Sequence, residues 1–470
     1  MTAAVQTVKQ DIPTEEKSKT TQAQDVGADL ALRKTIVPDR IANILVNALK
    51  GGVVPRVGLE YITVGRKREI ESLLHDIDMI QQGGASFRFI VGKYGSGKSF
   101  LLQTIRNYAT AKGFAVVDAD LSPERRFAGT KGQGLATYRE LIKNLSTKSK
   151  PDGGALPLIL ERWISGIQTA VRAESHVDGE DFDTLVERRI FAVAGSLEGM
   201  VNGFEFAKAV IAYWDAYKND DELKKSSVLK WFRGEYASRK EAKDELGINF
   251  VINDETWYDF LKIFALFLVG AGYKGMLVLV DELVNIFKLS NSITRNNNYE
   301  KILTMYNDVL QGKAEYIGFL MGATPQCLED KYRGVFSYEA LRSRLAQGHF
   351  SNESVRDLSA PVIKLEMLLQ EEVYILVEKL LEIHAGLYKY KPSLSQEDLL
   401  YFLTVEYNRV GAETHITPRE IIRDFIELLN ILQQNPEKTV SEIMGDNSFE
   451  LSKSGLFDES VDSEFQEFEI

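Results

Sequence analysis

The stretch that decides the fold is Gly92-Lys93-Tyr94-Gly95-Ser96-Gly97-Lys98-Ser99. It follows the apolar segment 87–91, which predicts a β-strand, and it precedes the amphipathic segment 100–108, which predicts a helix. A glycine-rich loop that ends in Lys-Ser between a strand and a helix is a Walker A motif. The backbone N–H groups of such a loop point towards phosphates, and the helix N-terminus favours negative charge. We therefore expect the loop to bind a nucleoside triphosphate.

Two side chains of this loop have predicted roles at the nucleotide. Lys98 should contact the β- and γ-phosphates, and the Ser99 hydroxyl should bind Mg²⁺. The alternative is a glycine-rich turn that binds no nucleotide, but the length and the strand–loop–helix context of the motif favour a P-loop. We find no Asn-Lys-x-Asp motif for reading guanine in the sequence, and ATP is therefore the expected nucleotide rather than GTP.

A second motif, further along the chain, supplies acidic residues. The continuous apolar run 275–280 predicts a parallel strand buried on both faces, and Asp281 and Glu282 follow it directly. This is a Walker B pattern, in which Asp281 belongs to the Mg²⁺ shell and Glu282 polarises the attacking water. The alternative is a strand that ends in two acids for other reasons, which the Walker A motif upstream disfavours.

Candidate catalytic residues follow the next predicted strand, 316–322. Thr324, at its tip, could place a polar group between the γ-phosphate and the water, or it could cap the helix that begins at Pro325. Arg342 and Arg344 lie further on, and either could reach the γ-phosphate of a neighbouring subunit as an arginine finger. The alternative for both arginines is a solvated helix face.

Arg419 is a further candidate for nucleotide binding. The stretch Thr417-Pro418-Arg419-Glu420 predicts a capping box with proline in the first helical position. A positive charge in the first turn of a helix is unfavourable, because the helix dipole prefers acids there. That unfavourable position favours a functional role for Arg419 over that of an ordinary surface residue.

Composition limits the classes of protein. The chain has 470 residues, of which 44% are hydrophobic, and a net charge of −12. The charge disfavours a broadly basic nucleic-acid binder but leaves room for a local basic groove. We see no apolar run long enough for a transmembrane helix and no apolar region of a signal peptide in the polar first 35 residues. The single cysteine, Cys327, excludes an internal disulfide framework and is typical of the reducing cytoplasm.

The sequence predicts an α/β P-loop NTPase with a parallel sheet flanked by helices. We expect a disordered tail at 1–35, a nucleotide-binding core at 36–345, a helical lid at 346–435 and an acidic tail at 436–470. All four tryptophans fall between about 136 and 270, which predicts a folded helical insertion within the core rather than a linker.

Together these motifs resemble those of AAA+ ATPases, particularly the branch that includes Orc/Cdc6-like initiators. The resemblance implies that the element with Val64 and Gly65 packs near the adenine, that Thr324 is sensor 1, and that Arg419 is sensor 2. One departure is that only about 35 residues, with an acidic composition, follow the last lid helix, too few for the winged-helix DNA-binding domain usual in that branch. DNA contact would then come from the core, the insertion or an assembled ring.

A closer resemblance is to the BrxD-type ATP-binding proteins of BREX phage-defence systems. It covers about residues 36–435 and is carried by the P-loop region and by segments 118–126, 132–141 and 151–155. The resemblance implies a bacterial cytoplasmic protein that acts in antiviral defence, assembles into a homo-oligomer, and works with DNA and a helicase or other defence-system protein. Two functions stay open: an ATP hydrolase that acts on or near DNA, and an ATP-dependent switch that recruits partners.

Overall fold

The computed structural model describes residues 37–175, 180–197, 199–346, 356–409 and 417–445. The predicted N-terminal tail and the predicted acidic tail beyond residue 445 lie outside the described residues. Within the described part of the chain, none of the helices has the length and apolar character needed to cross a membrane.

Five strands form one parallel sheet. They are β1 Ala85–Gly92, β2 Ala115–Asp120, β3 Met276–Asp281, β4 Ile317–Ala323 and β5 Val362–Leu365. Their order across the sheet is β2-β3-β4-β1-β5, and every neighbouring pair is parallel. The predicted α/β P-loop fold is confirmed, because the Walker A motif follows β1, the Walker B motif ends β3, and β4 lies between these two strands.

Both faces of the sheet are covered, which explains the continuous apolar runs of its strands. On one face, Ile90, Leu277 and Leu279 pack with helices α3 (Lys67–Gln81) and α4 (Lys98–Ala111). On the other face, the alternate residues, such as Phe89 and Val278, belong to a larger core. The alternation follows from the two-residue period of a strand.

The larger core is shared with the helices inserted between β2 and β3. These are α5 Gln133–Lys143, α6 Leu156–Ser175, α7 Glu180–Leu197, α8 Gly203–Lys218, α9 Glu222–Phe232, α10 Arg239–Leu246 and α11 Trp257–Gly270. Each of the four tryptophans is at most 3% exposed, and Phe206 meets Phe264 edge to face at 5.1 Å. Because one hydrophobic cluster runs from the strands into these helices, the insertion packs on the sheet.

Four further helices follow β3 and β4, the strands that carry the Walker B motif and Thr324. They are α12 Val284–Phe287, α13 Ser292–Leu310, α14 Pro325–Glu329 and α15 Glu339–Leu345. α12 and α13 come directly after the Walker B motif, and α14 and α15 come after β4.

The lid region contains α16 Gln370–Tyr388, α17 Gln396–Asn408 and α18 Pro418–Gln434, and α19 Val440–Gly445 follows it within the segment that we predicted as the acidic tail. These helices share a separate hydrophobic cluster with the N-terminal helices α1 (Asp39–Lys50) and α2 (Leu59–Ile62). The first helices of the chain, which we assigned to the nucleotide-binding core, therefore pack against lid helices.

Candidate nucleotide-binding site

The P-loop connects β1 to α4 with a backbone that only glycine adopts easily. Gly95 and Gly97 have φ values of 78° and 86°, in the left-handed region. Gly92 has a different constraint, because a Cβ there would lie 2.2 Å from the Ser96 hydroxyl oxygen. The loop is therefore compact, as a phosphate-binding turn requires.

Lys98 lies at the start of α4 with its ammonium against the loop. Its Nζ donates to the carbonyl oxygens of Gly92 at 2.9 Å and Lys93 at 3.0 Å. Burial lowers the pKa of Lys98, Asp281 and Glu282 oppose that shift, and the positive charge of Arg419 adds to it. Lys98 therefore shares one electrostatic environment with the Walker B acids and the lid arginine.

The two predicted Mg²⁺ ligands are in direct contact. Ser99 Oγ donates to Asp281 Oδ2 at 2.6 Å, although the two residues are far apart in the sequence. A hydroxyl and a carboxylate are oxygen ligands of the kind that Mg²⁺ uses, and Mg²⁺ in such sites keeps several waters and substrate phosphates as its other ligands. Among the described residues we find no cluster of three or more His, Cys, Asp or Glu that could hold a metal.

Gly322 of β4 makes room for the Asp281 carboxylate. A Cβ at position 322 would lie 2.1 Å from Asp281 Oδ1. The sequence analysis missed this residue, because its importance depends on β4 lying beside β3 in the sheet.

Glu282 has an unusual backbone conformation. Its φ is 61°, in the left-handed region that non-glycine residues rarely adopt, and its amide donates to Asp281 Oδ1 at 2.9 Å. Such backbone strain persists where the surrounding structure enforces it, often at functional sites. The Glu282 side chain is exposed at the edge of the sheet where water can approach it.

Asp120, at the end of β2, is a third acid beside the Walker B pair, and the sequence analysis missed it. It is the register partner of Asp281 in the β2–β3 pair. Burial raises the pKa of Asp120, and the charges of Asp281 and Glu282 raise it further. The only signal in the sequence is that an acid ends the strand, which is common in α/β proteins.

Thr324 lies at the carboxyl end of β4, where it caps a helix. Its Oγ1 accepts a hydrogen bond from the amide of Cys327 at 3.2 Å, and Pro325 occupies the first position of α14. This is the capping contact that we weighed as the alternative to a sensor role. The hydroxyl proton of Thr324 is left available to a second acceptor, because a hydroxyl donates one bond and accepts two.

Arg342 and Arg344 are exposed on α15 and make their polar contacts within that helix. Arg342 Nη2 pairs with Glu339 Oε2 at 2.6 Å, and Arg344 Nη1 donates to the Ala340 carbonyl at 2.8 Å. Both guanidinium groups are therefore at the surface, as an arginine finger requires and as the solvated-face alternative also allows.

The lid contacts the P-loop at two points. Arg419 Nη1 donates to the Tyr94 hydroxyl at 2.8 Å, and its guanidinium carbon lies 5.3 Å from the centre of the Tyr94 ring. Thr417 lies against Gly95, because a Cβ on Gly95 would come within 2.6 Å of the Thr417 Cβ. The N-terminus of α18 therefore lies directly on the predicted phosphate-binding loop.

The element with Val64 and Gly65 contacts both the P-loop and the lid. Arg66, only 6% exposed, donates to the carbonyl oxygens of Ser96 in the P-loop and Glu366 after β5. Gly65 has φ 70°, and a Cβ there would lie 2.3 Å from a carboxylate oxygen of Glu372 in α16. Val64 is half-buried against the lid cluster. The sequence analysis did not foresee that Arg66 supports the P-loop.

The basic residues around the glycine-rich loop 125–134 are largely structural. Arg125 donates to the Asp120 carbonyl and pairs with Glu140 at 3.4 Å. Arg139 donates to the Gly234 carbonyl at 2.8 Å, and Lys131 is exposed. The contacts of Arg125 therefore hold the insertion to the end of β2, and the contact of Arg139 lies within the insertion.

The chain is similar to one family of known proteins and to a solved structure. A family model described as "BREX system ATP-binding protein BrxC/D" matches residues 37–448. No curated protein is significantly similar in sequence. The structure is similar to the crystal structure of Cdc6p from Pyrobaculum aerophilum, at 12% identity and a TM-score of 0.36, over 81% of this chain and 67% of that chain.

Proposed function

The chain belongs to the family of BREX system ATP-binding proteins BrxC/D, and from this membership and the site we propose that it hydrolyses ATP with Mg²⁺. The observation that carries the proposal is the 2.6 Å contact between Ser99 and Asp281. Because it joins the Walker A helix to the Walker B strand, it brings the oxygen ligands for Mg²⁺ next to Glu282.

Each residue would contribute a separate part of the reaction. Lys98 and the P-loop amides would hold the phosphates, while Mg²⁺, bound by Ser99 and Asp281, would supply positive charge to the phosphate oxygens. Glu282 would orient the attacking water by accepting a hydrogen bond from it. Thr324 would offer its free hydroxyl proton at the same edge of the sheet.

Beyond the single chain, we propose a homo-oligomer in the bacterial cytoplasm that acts on or near DNA together with a helicase or another defence-system protein. Support for composite sites comes from Arg342 and Arg344, which are exposed and whose polar contacts with other described residues lie within α15. Either side chain could reach a neighbouring subunit. Support for the defence role comes from the family.

The test is ATP hydrolysis by the purified full chain, with and without single- and double-stranded DNA. Glu282→Gln should lower kcat by at least about a hundredfold while preserving ATP binding, because it removes the group that polarises water. The control is Glu300→Gln, which changes an exposed glutamate on α13. Hydrolysis that persists in Glu282→Gln would overturn the catalytic assignment, and hydrolysis that DNA leaves unchanged would count against action on DNA.

A second candidate function is an ATP-dependent switch with slow turnover, and the contact between Arg419 and Tyr94 favours it. Since the lid rests on the P-loop itself, a bound nucleotide can change the position of the lid directly. This candidate predicts tight ATP binding and little turnover. It also predicts that ATP, but not ADP, protects the start of α18 from hydrogen exchange.

A further inference from the structure

We propose that residues 330–334, here called the Tyr332 loop, contact single-stranded nucleic acid. The inference deepens the proposed function and rests on its DNA-related part. Tyr332 is 88% exposed, the highest fraction among the large hydrophobic side chains that the structure describes as exposed. A single exposed aromatic ring is ordinary, and so the argument depends on how this one is held and on what surrounds it.

The backbone of the Tyr332 loop is fixed by hydrogen bonds. Asp330 Oδ1 accepts from the amides of Tyr332 and Arg333, each at 2.8 Å, and the Gly334 amide donates to the Asp330 carbonyl at 3.0 Å. These amide donors hold the pKa of Asp330 below its usual range. The structure therefore presents Tyr332 to solvent on an ordered turn.

Arg333 attaches the loop to the element that follows the Walker B motif. Its carbonyl accepts from the buried Tyr299 hydroxyl at 2.6 Å. Its guanidinium lies 5.4 Å from the centre of the Phe287 ring and donates to the Lys288 carbonyl at 3.4 Å. Because Phe287 lies in α12, shortly after Glu282, Arg333 connects the Tyr332 loop to the segment that follows the Walker B motif.

The charges around Tyr332 are mainly positive, although the whole chain is acidic. Lys331, Arg333 and Lys288 are exposed. Two neighbouring carboxylates are already engaged, since Asp330 accepts the loop amides and Glu329 pairs with Lys364 at 2.6 Å. Asp330 keeps its negative charge and offsets one of the three cations, so the loop carries a positive local charge beside an exposed ring.

This combination fits a single strand better than a duplex. Proteins that bind single strands stack bases on aromatic rings and place Lys or Arg along the phosphates. In a duplex the faces of the bases are already stacked, and a tyrosine on a rigid turn has no base face to meet.

The test is the affinity of the full chain, in ATP and Mg²⁺, for a fluorescently labelled oligothymidylate, measured by anisotropy. Tyr332→Ala should weaken binding about tenfold, because stacking on one base contributes an energy of that order. Tyr332→Phe should bind like the wild type, since it keeps the ring. The control is Tyr401→Ala, which removes a tyrosine that is 40% exposed on the lid. Lys331→Gln should reduce the slope of log affinity against log salt by about one.

Two results would overturn the inference: no binding by the wild type, and unchanged oligonucleotide affinity in Tyr332→Ala. The second result could come together with a change in self-association. That combination would make the loop a contact between copies of the chain. Hydrolysis without DNA is measured on the same variants and should not change. Absence of ATP hydrolysis by the wild type would contradict the proposed function. Oligonucleotide binding that is equal in the wild type and Tyr332→Ala would contradict only the proposal for the Tyr332 loop.

Discussion

At the scale of single residues, the site depends on glycine at position 322, because a side chain there would clash with Asp281. Gly322→Ala would place a Cβ 2.1 Å from Asp281 Oδ1. We expect the Asp281 carboxylate to move away from Ser99 and kcat for ATP hydrolysis to fall at least about tenfold, since small misplacements of catalytic groups have effects of this size. Steady-state hydrolysis at several Mg²⁺ concentrations checks this, and the concentration for half-maximal activity should rise.

Gly386→Ala is the matched control for that substitution. Gly386 lies in α16, and a Cβ there would meet nothing within 4 Å. Alanine should keep the activity and stabilise the helix by up to about 1 kcal/mol. Equal activity in Gly322→Ala and the wild type would show that β4 does not constrain Asp281.

Individual residues of the site differ in how well the sequence predicts them. Lys98, Ser99 and Asp281 were predictable because each belongs to a short motif whose chemistry needs that residue type. Gly322 and Arg66 were not predictable in their roles, because their partners lie on distant segments. Arg66 binds the carbonyl of Glu366, 300 positions away, and only the folded order of the elements brings the two together.

At the scale of elements, the contact between α18 and the P-loop predicts a coupling between Tyr94 and Arg419. We expect Tyr94 to compete with a phosphate of ATP for the Arg419 guanidinium, and an exposed cation–π contact is worth about 0.5–1 kcal/mol. Tyr94→Ala should therefore tighten ATP binding about threefold, whereas Arg419→Ala should weaken it. Calorimetry on Glu282→Gln protein, which keeps ATP intact, provides the measurement.

A double-mutant cycle decides whether the two residues act through each other. In Arg419→Ala protein the effect of Tyr94→Ala on ATP affinity should vanish. An undiminished effect there would mean that Tyr94 contacts the nucleotide independently of the lid. Tyr94→Phe, which keeps the ring and loses the hydroxyl, separates the hydrogen bond from the stacking.

The lid also contains a buried acid that predicts a pH dependence. Glu406 in α17 is fully buried, and Arg409 Nη2 lies 2.8 Å from its Oε1. Burial raises the pKa of Glu406 to about 7 despite Arg409. Because the folded carboxyl binds its proton more tightly than the unfolded one, its stabilising contribution is present below about pH 4.3 and is lost as the pH rises to about 7.

Thermal unfolding of wild type and Glu406→Gln from about pH 4 to pH 8 tests this. The stability of the wild type relative to the variant should fall as the pH rises through that window. Glu397→Gln, which alters an exposed glutamate on the same helix, should show no such trend. A difference between wild type and Glu406→Gln that is constant with pH would contradict a raised pKa for Glu406.

Element prediction succeeded where the local pattern was strong and failed where packing decided. The run 275–280 had the composition of a doubly covered strand and is β3. The capping box at Thr417 forms as expected, with Thr417 accepting from the Glu420 amide. The packing of α1 on α16 and α18 was not predictable, because an amphipathic helix shows which face is buried but not what covers it.

At the scale of the whole molecule, the sheet order explains why the site lies where it does. With β4 between β1 and β3, the Walker A, Walker B and Thr324 positions all meet at the carboxyl edge of adjacent strands. The sequence could place each motif at a strand end, but the neighbours in the sheet follow from long-range packing. A surface that meets other subunits is harder still to predict from the sequence, and the proposed roles of Arg342 and Arg344 depend on such a surface.

The last prediction concerns an active site shared between subunits. If Arg344 acts on a neighbour, Arg344→Ala and Lys98→Ala proteins should each be inactive alone, because one lacks the finger and the other the P-loop lysine. A mixture should recover activity, since some interfaces pair an intact P-loop with an intact finger. For random mixing in a head-to-tail ring, about a quarter of the sites are complete. Arg342→Ala, tested in the same way, decides which arginine of α15 is the finger.

The control for that experiment is a mixture of Lys98→Ala and Glu282→Gln proteins. Both residues belong to the same subunit's site, so every site in the mixture lacks one of them, and no activity should return. Recovery of activity in this control would show that Lys98 and Glu282 need not come from the same subunit. Failure of both Arg344→Ala and Arg342→Ala to recover with Lys98→Ala would restrict these arginines to the solvated face of α15, where Arg342 already pairs with Glu339.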